Sequence, residues 1–327
     1  MFDYSSVRGF NYQPSFGTTS LENWLYYDKE LAEKELRRGK EYFPKFNTVR
    51  YWLSWDAYRR DSKSFMEKLE QALQVADRLG LRVIACLFNR WHDGSGYDCG
   101  GVCYDNLMPG TKNNYRAYYR EYVADIVKTY AADPRILVWD LCNEPYWFNG
   151  TGISEYFRPF ADLETEWLTE IRNVVRTYDK VTDIGISIHA GHGREGIEIV
   201  EPLCDVLLVH PYFEETKKDR IADPVLRARY DDKVKLYYEF AKEVKKPVLI
   251  TETCWGAHND EDRVENMKFT LDTVTKYRIG FVAHALHYSR VADLHYEEDG
   301  LVGKPGNLAF TNKDGSLRKG HEVFNLY

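Results

Sequence analysis

Residues 241–252 read AKEVKKPVLITE. The first half is amphipathic and closes on two lysines. Pro247 then stops it, because proline lacks the N–H that a continuing helix needs. Val248, Leu249, Ile250 and Thr251 follow without polar alternation, as in a strand covered on both faces. Helix, proline and buried strand in this order mark the αβ junction of a parallel sheet. Glu252 comes directly after that strand. An ionisable group at the mouth of a core strand is costly unless it is paired or used.

Working outward, seven more stretches read as strands: Val7–Asn11, Thr48–Trp52, Arg82–Phe88, Ile136–Leu141, Asp183–Ile188, Val206–His210 and Gly280–Leu286, with Val248–Thr251 as the seventh in chain order. Helical spacing fills the intervals. Phe65, Leu69, Leu73, Ala76 and Leu79 share one face, with Ser62 as the expected N-cap and Gly80 as the stop. Similar stripes run through Tyr115, Tyr118, Tyr119, Tyr122 and Ile126, through Leu163, Trp167, Ile171 and Val174, and through Val264, Met267, Leu271 and Val274. The final LRKGHEVFNLY, 317–327, is expected to supply the eighth helix.

Eight strands joined by right-handed crossovers predict a single (β/α)8 TIM barrel in the α/β class, one domain spanning 1–327. An open doubly wound sheet usually carries a glycine-rich nucleotide turn after its first strand. Here that place holds NYQPSFG, 11–17, which lacks the pattern. No repeat, low-complexity stretch or linker interrupts the chain.

Of 327 residues 44% are hydrophobic, enough for a sizeable core, and 44 basic against 51 acidic side chains leave a net charge of −7. That balance offers no footprint for nucleic acid or an anionic membrane. No apolar run reaches membrane-spanning length. The opening MFDYSSVRGFNY has neither a basic region nor an apolar one, so the expected location is cytoplasmic. Cys86, Cys142, Cys204 and Cys254 lie in or beside apolar runs and read as small core residues. Cys99 and Cys103 flank Gly100-Gly101-Val102 and are near enough to pair, although a reducing compartment weighs against it. The aromatic share, 15% with 25 tyrosines and 8 tryptophans, exceeds ordinary packing needs and suits a surface that stacks half-apolar ligands.

The strand ends carry the chemistry. Arg50 lies on the second, Trp91-His92-Asp93 follows the third, Asn143-Glu144-Pro145 ends the fourth, and His210-Pro211-Tyr212 ends the sixth. Glu252 ends the seventh, while His284, His287 and Tyr288 end the eighth. Long segments follow the third and eighth strands, 89–111 and 288–316. Catalytic groups of barrel enzymes sit at this face, and closure of one end of a cleft by these segments would favour exo action. Glu144 and Glu252 would face each other across the mouth. Two facing carboxylates suit glycosidic bond cleavage: one protonates the leaving oxygen and the other attacks the anomeric carbon. Arg50 has a structural reading as well, as a salt bridge to Asp56. Asp140 reads as a buried structural acid. His189 and His192 read as rim residues rather than metal ligands.

These residues resemble a clan A glycoside hydrolase, closest to glycoside hydrolase family five, the cellulase and β-mannanase family. The resemblance covers the chain in order, including the Arg-Gly-Phe-Asn opening at 8–11. It implies Glu144 as acid/base, Glu252 as nucleophile and Asn143 as the partner of the sugar 2-hydroxyl. Arg50, His92, His210 and Tyr212 match further family positions, and Trp255 joins them as a substrate-binding candidate. One position departs: a platform Trp is expected near the end of strand eight, where GFVAHALHYS, 280–289, has none, and His287 or Tyr288 is the expected replacement. The implied activity is a retaining β-glycoside hydrolase with no metal and no cofactor, acting on oligosaccharides or small glycosides, β-mannosides or β-glucosides first. A transglycosylase, a β-galactosidase or other clan A activity, and an inactive carbohydrate-binding barrel are the alternatives. A retaining pair requires a carboxyl separation of roughly 5–5.5 Å.

Overall fold

The computed structural model describes residues 2–17, 19–90, 102–146, 155, 158–289 and 308–327. Eight parallel strands close in chain order: β1 Arg8–Asn11, β2 Thr48–Trp52, β3 Arg82–Cys86, β4 Ile136–Asn143, β5 Asp183–His189, β6 Leu207–His210, β7 Val248–Thr253 and β8 Gly280–Ala283. The barrel closes where Gly9 of β1 pairs with Val282 of β8. The helices are α1 Ser20–Leu25, α2 Lys29–Tyr42, α3 Trp55–Arg60, α4 Ser62–Arg78, α5 Tyr104–Leu107, α6 Arg116–Thr129, α7 Arg158–Tyr178, α8 Gly193–Val200, α9 Lys218–Ala222, α10 Pro224–Val244 and α11 Asp260–Lys276. None of the described helices is long and apolar enough to cross a membrane.

Three local expectations are corrected. The cap of α4 is Asp61, whose side chain accepts the Ser64 N–H, so Ser62 already lies in the first turn. The closing segment is a 3-10 helix, His321–Leu326, not an α-helix. Gly320 at φ 79° breaks the run before it, and the six residues left are too few for a stable α-helix. Phe324 holds them instead, packing on Phe10, Phe43, Phe281 and Phe310. Finally, β8 stops at Ala283 rather than Leu286. The Ala285 N–H turns to the Leu308 carbonyl and the Leu286 N–H to the Asn11 carbonyl, outside the ladder with β7.

Period-two alternation sorts each strand. Ile84, Val138, Leu208, Leu249 and Val282 point inward and form an apolar floor with Tyr4 and Val7. Trp139, Leu207, Val209, Ile250, Phe281 and Ala283 point outward into the layer shared with the helices. Gly185 of β5 has no room for a side chain, because a Cβ there would lie 2.5 Å from Leu208. One step above the floor the inward residues turn polar or small: Cys86, Asp140, His210 and Thr251, joined by Asn11, Arg50 and Ser187. All seven are fully buried.

Two strands break the period where it matters. The β4–β5 register shifts between Asp140 and Asn143, and the β7–β8 register shifts between Ile250 and Thr253. Each irregularity inserts a residue and re-aims the chain beyond it. Leu141 and Cys142 consequently both pack outward, and Asn143 returns to the mouth. On β7 both Thr251 and Glu252 reach the interior, where each hydrogen-bonds to a strand-six side chain or its neighbour.

Candidate active site

Arg50 organises the mouth. Its guanidinium donates to Asp140 Oδ2 at 2.8 Å, to Asn143 Oδ1 at 2.7 Å, to Asn11 Oδ1 at 3.1 Å and to Glu252 Oε1 at 2.7 Å. Its charged carbon lies 4.8 Å from the centre of the Trp52 ring. The alternative partner, Asp56, is instead near Arg60 on α3. Asp140 is wholly enclosed: it also accepts from the Ser187 hydroxyl at 2.6 Å and the Ser187 N–H at 3.2 Å. Asp140 therefore serves as a structural counter-charge behind Arg50.

The second oxygen of Glu252 accepts from the Tyr212 hydroxyl at 2.8 Å. Glu144 Oε1 lies 2.7 Å from His210 Nδ1, and His210 Nε2 lies 3.0 Å from the Thr251 hydroxyl. Glu144, His210 and Glu252 each bring an atom within 4.8 Å of the others. Both ring nitrogens of His210 already have protein partners, and Arg50 lies against Glu252.

Electrostatics distinguish the groups. Burial works against a charge on Glu252, but His210, the Arg50 guanidinium, His284 and the Tyr212 hydroxyl outweigh it and bring the carboxyl down to about 2. Arg50 is permanently charged, so its share persists when the imidazoles are neutral. Burial pushes His210 down to about 3, against the pull of Glu252. The ring is accordingly neutral at neutral pH.

The backbone holds Glu144 firmly. It adopts φ 46°, and Tyr146 adopts φ 64°, a region that side-chain-bearing residues seldom enter. Hydrogen bonds on both sides fix it: Asn143 N–H to Phe88 O, Arg90 N–H to Asn143 O, and Glu144 N–H to Ser187 O. Behind them lies a buried pair, Arg90 Nε to Glu164 Oε1 at 2.6 Å. Glu164 also accepts from the Tyr104 hydroxyl at 2.9 Å and the Tyr146 N–H at 3.1 Å. Asn143 is pinned at its other end, where Nδ2 donates to Asn89 Oδ1 at 2.9 Å.

The structure thus brings together Arg50, Asn143, Glu144, His210, Tyr212 and Glu252. Trp255 sits beside them, edge-on to Tyr212 at 4.8 Å between ring centres. His287 does not join them. Its buried ring lies 3.7 Å from Glu35 and 3.4 Å from Arg38, both on α2, because β8 leaves the ladder three residues earlier. The half-buried Tyr288 is held through its N–H, which donates to the Thr311 hydroxyl at 3.2 Å. The strand-eight side chain that senses Glu252 and Arg50 is His284. His92 lies outside the described residues, as do Cys99 and the stretches 91–101 and 290–307 of the two long segments. Sequence reasoning missed Asn11, Ser187 and Thr251 as parts of the mouth. For Thr251 the signal was its place two residues beyond the inward Leu249.

An eight-stranded parallel barrel with two buried glutamates at the C-terminal ends of β4 and β7 has the architecture of a barrel glycoside hydrolase. The family model for Cellulase (glycosyl hydrolase family 5) matches residues 43–289. The chain belongs to glycosyl hydrolase family 5. Among curated relatives, mannan endo-1,4-beta-mannosidase A of Podospora anserina is 27% identical over 121 residues, covering 35% of this chain and 29% of that protein. Mannan endo-1,4-beta-mannosidase A of Hypocrea jecorina is 26% identical over 139 residues, covering 39% and 29%. The matches therefore span less than a third of these relatives' length. Among solved structures, the exo-beta-1,4-mannosidase Op5Man5 from Opitutaceae bacterium strain TAV5 superposes with a TM-score of 0.74 at 19% identity, over 97% of this chain and 58% of that one. Endoglucanase Cel5A from Thermotoga maritima gives 0.68 at 15% identity, over 99% and 98%. These likenesses concern the fold.

Proposed function

We propose that the chain is a retaining β-glycoside hydrolase that works by double displacement, with β-mannosides favoured and β-glucosides next. The observation that carries this is the pair of glutamates themselves: each brings an oxygen within 4.8 Å of the other. A retaining pair, with its carboxyl groups roughly 5–5.5 Å apart, brings oxygens this near. Glu252, held ionised by Arg50 and oriented by Tyr212, attacks the anomeric carbon. A second negative charge so close is disfavoured, so the proton for the leaving oxygen resides on Glu144. Formation of the glycosyl ester removes the charge on Glu252, and Glu144 can then take a proton from the incoming water. His210, neutral and bonded to both Glu144 and Thr251, fixes the acid's orientation. The names of the mannosidase relatives support the choice of glycone.

The test is release of nitrophenol from a panel of aryl α- and β-glycosides, run beside Glu252→Ala with and without azide. The expected outcome is activity on one β-sugar, a loss of several orders of magnitude in the variant, and rescue as the α-glycosyl azide. Rescue as the β-azide, or a variant as active as the parent, would overturn the assignment of the nucleophile. Products formed with a sugar acceptor in excess separate hydrolysis from transglycosylation.

A further inference from the structure

The resemblance leads one to expect a flat indole at the end of strand eight, yet no tryptophan lies between 280 and 289. The side chain present is of another chemical kind. Val282 belongs to the inward floor and Ala283 to the outward layer, so alternation turns His284 toward the mouth. Its surroundings agree: its charge state responds to Glu252 and Arg50, and its ring stands edge-on to Trp52 at 5.7 Å between centres. Trp52 in turn covers Arg50 at 4.8 Å. The main chain is held from both directions, with the His284 N–H donating to Thr253 O at 2.9 Å and its carbonyl accepting from Arg263 at 3.4 Å.

The two ring nitrogens differ. Nδ1 is sealed from solvent and has no hydrogen-bond partner, while the residue as a whole remains partly open. Burial lowers the tendency of this imidazole to ionise, so it carries one hydrogen. A sealed N–H without an acceptor is costlier than a sealed lone pair, since orphaned buried donors are rarer than under-satisfied acceptors. The hydrogen therefore sits on Nε2, and the open part of the ring presents a donor. Among the described residues none takes it up. A sugar placed between Glu144 and Glu252 presents hydroxyl oxygens to that side of the mouth.

We infer that His284 is a specificity-determining residue, whose Nε2–H donates to one ring hydroxyl of the sugar held between Glu144 and Glu252. This rests on the hydrolase reading above. A directional donor selects a particular hydroxyl configuration, whereas an indole face selects mainly for apolar ring surface. The hydroxyl read by His284 is a different one from that served by Asn143, because Asn143 lies on β4, across the mouth from β8.

The test uses the nitrophenyl β-glycoside that the wild type cleaves best, together with its monodeoxy analogues, on wild type, His284→Phe and His284→Gln. Glutamine keeps a donor near the position of Nε2; phenylalanine keeps only the ring. For the wild type, one analogue should lose roughly tenfold to a hundredfold in kcat/KM through the His284 contact. His284→Phe should lose that factor on the parent glycoside and nothing further on that analogue. His284→Gln should recover much of it. A His284→Phe or His284→Gln enzyme that folds and keeps the wild-type pattern across all analogues overturns the role of His284 and leaves the hydrolase reading standing. A wild type that cleaves no glycoside, aryl or natural, overturns both.

Discussion

At the scale of single residues, the site depends on one cation and one phenol acting on one carboxylate. Arg50 cannot lose its proton, and it touches Asp140, Asn143 and Glu252 at once. It thereby fixes the charge and the place of Glu252, the proposed nucleophile. Tyr212 has a narrower task, a single bond of 2.8 Å to the other oxygen of Glu252. Tyr212→Phe keeps the ring that packs on Trp255 and removes only that donor. A hydrogen bond to a charged group contributes about 1.5–3 kcal/mol, so kcat/KM should fall roughly tenfold to a hundredfold with an unchanged melting temperature. The acid limb of the pH profile should move upward, because Glu252 loses one of the contacts that lower it. Activity within twofold of wild type would show that Tyr212 does not orient the nucleophile. Asn143, Glu144, His210, Tyr212 and Glu252 were legible because each stands at or just past the end of an apolar run, whereas Arg50 lies mid-strand and was legible through the family resemblance. His287 was misplaced for a definite reason: a run such as GFVAHALHYS does not reveal where its strand leaves the ladder, and the departure at Ala283 gives the inward position to His284.

At the scale of elements, the two glutamates owe their position to irregularities in β4 and β7. These left no trace in the sequence. A bulge in a strand buried on both faces inserts one apolar residue among others, so Leu141 and Cys142 look like ordinary continuation. What can be tested is the brace behind β4. Arg90 and Glu164 have fully buried side chains, and Glu164 joins α7 to Tyr104 of α5 and to the backbone of Tyr146. Replacing Glu164 with leucine removes the carboxylate that lies 2.6 Å from the buried Arg90 guanidinium. Breaking such a pair costs about 3–5 kcal/mol, to be read as a lower urea midpoint. The chain at Tyr146, two residues beyond Glu144, also loses an anchor, so kcat should fall along with stability. If Glu164→Leu unfolds at the wild-type midpoint, the pair is not what holds the end of β4. The strand order and the barrel itself were legible from eight buried runs and the helical stripes between them. The terminal helix was not, because Gly320 divides a segment whose remaining length favours a short 3-10 helix of two turns.

At the scale of the whole molecule, the enclosed imidazoles set how the fold responds to acid. Burial lowers His210 to about 3, His192 to about 4 and His321 to about 3. In the unfolded chain each would titrate near 6.5. Between those values the unfolded state binds protons that the native state refuses. Stability therefore rises with pH in that window and is lost as pH falls below about 6.5, at up to about 1.4 kcal/mol per unit for each such histidine. Glu252, whose carboxyl is held below the usual carboxylate range, adds a loss of the same sign below its ordinary value of 4.5. The protein should hold its urea midpoint above pH 7 and lose it steeply between pH 6.5 and 4. His321 isolates the effect, since it packs on Phe310 at 5.4 Å between ring centres and has no part in the constellation around the glutamates. His321→Leu should flatten the stability profile by about one proton between pH 6.5 and 4 and leave hydrolysis at neutral pH unchanged. A variant whose stability falls with acid as steeply as the wild type would show that His321 becomes charged without leaving the fold, and that the acid sensitivity has its source in the other buried groups.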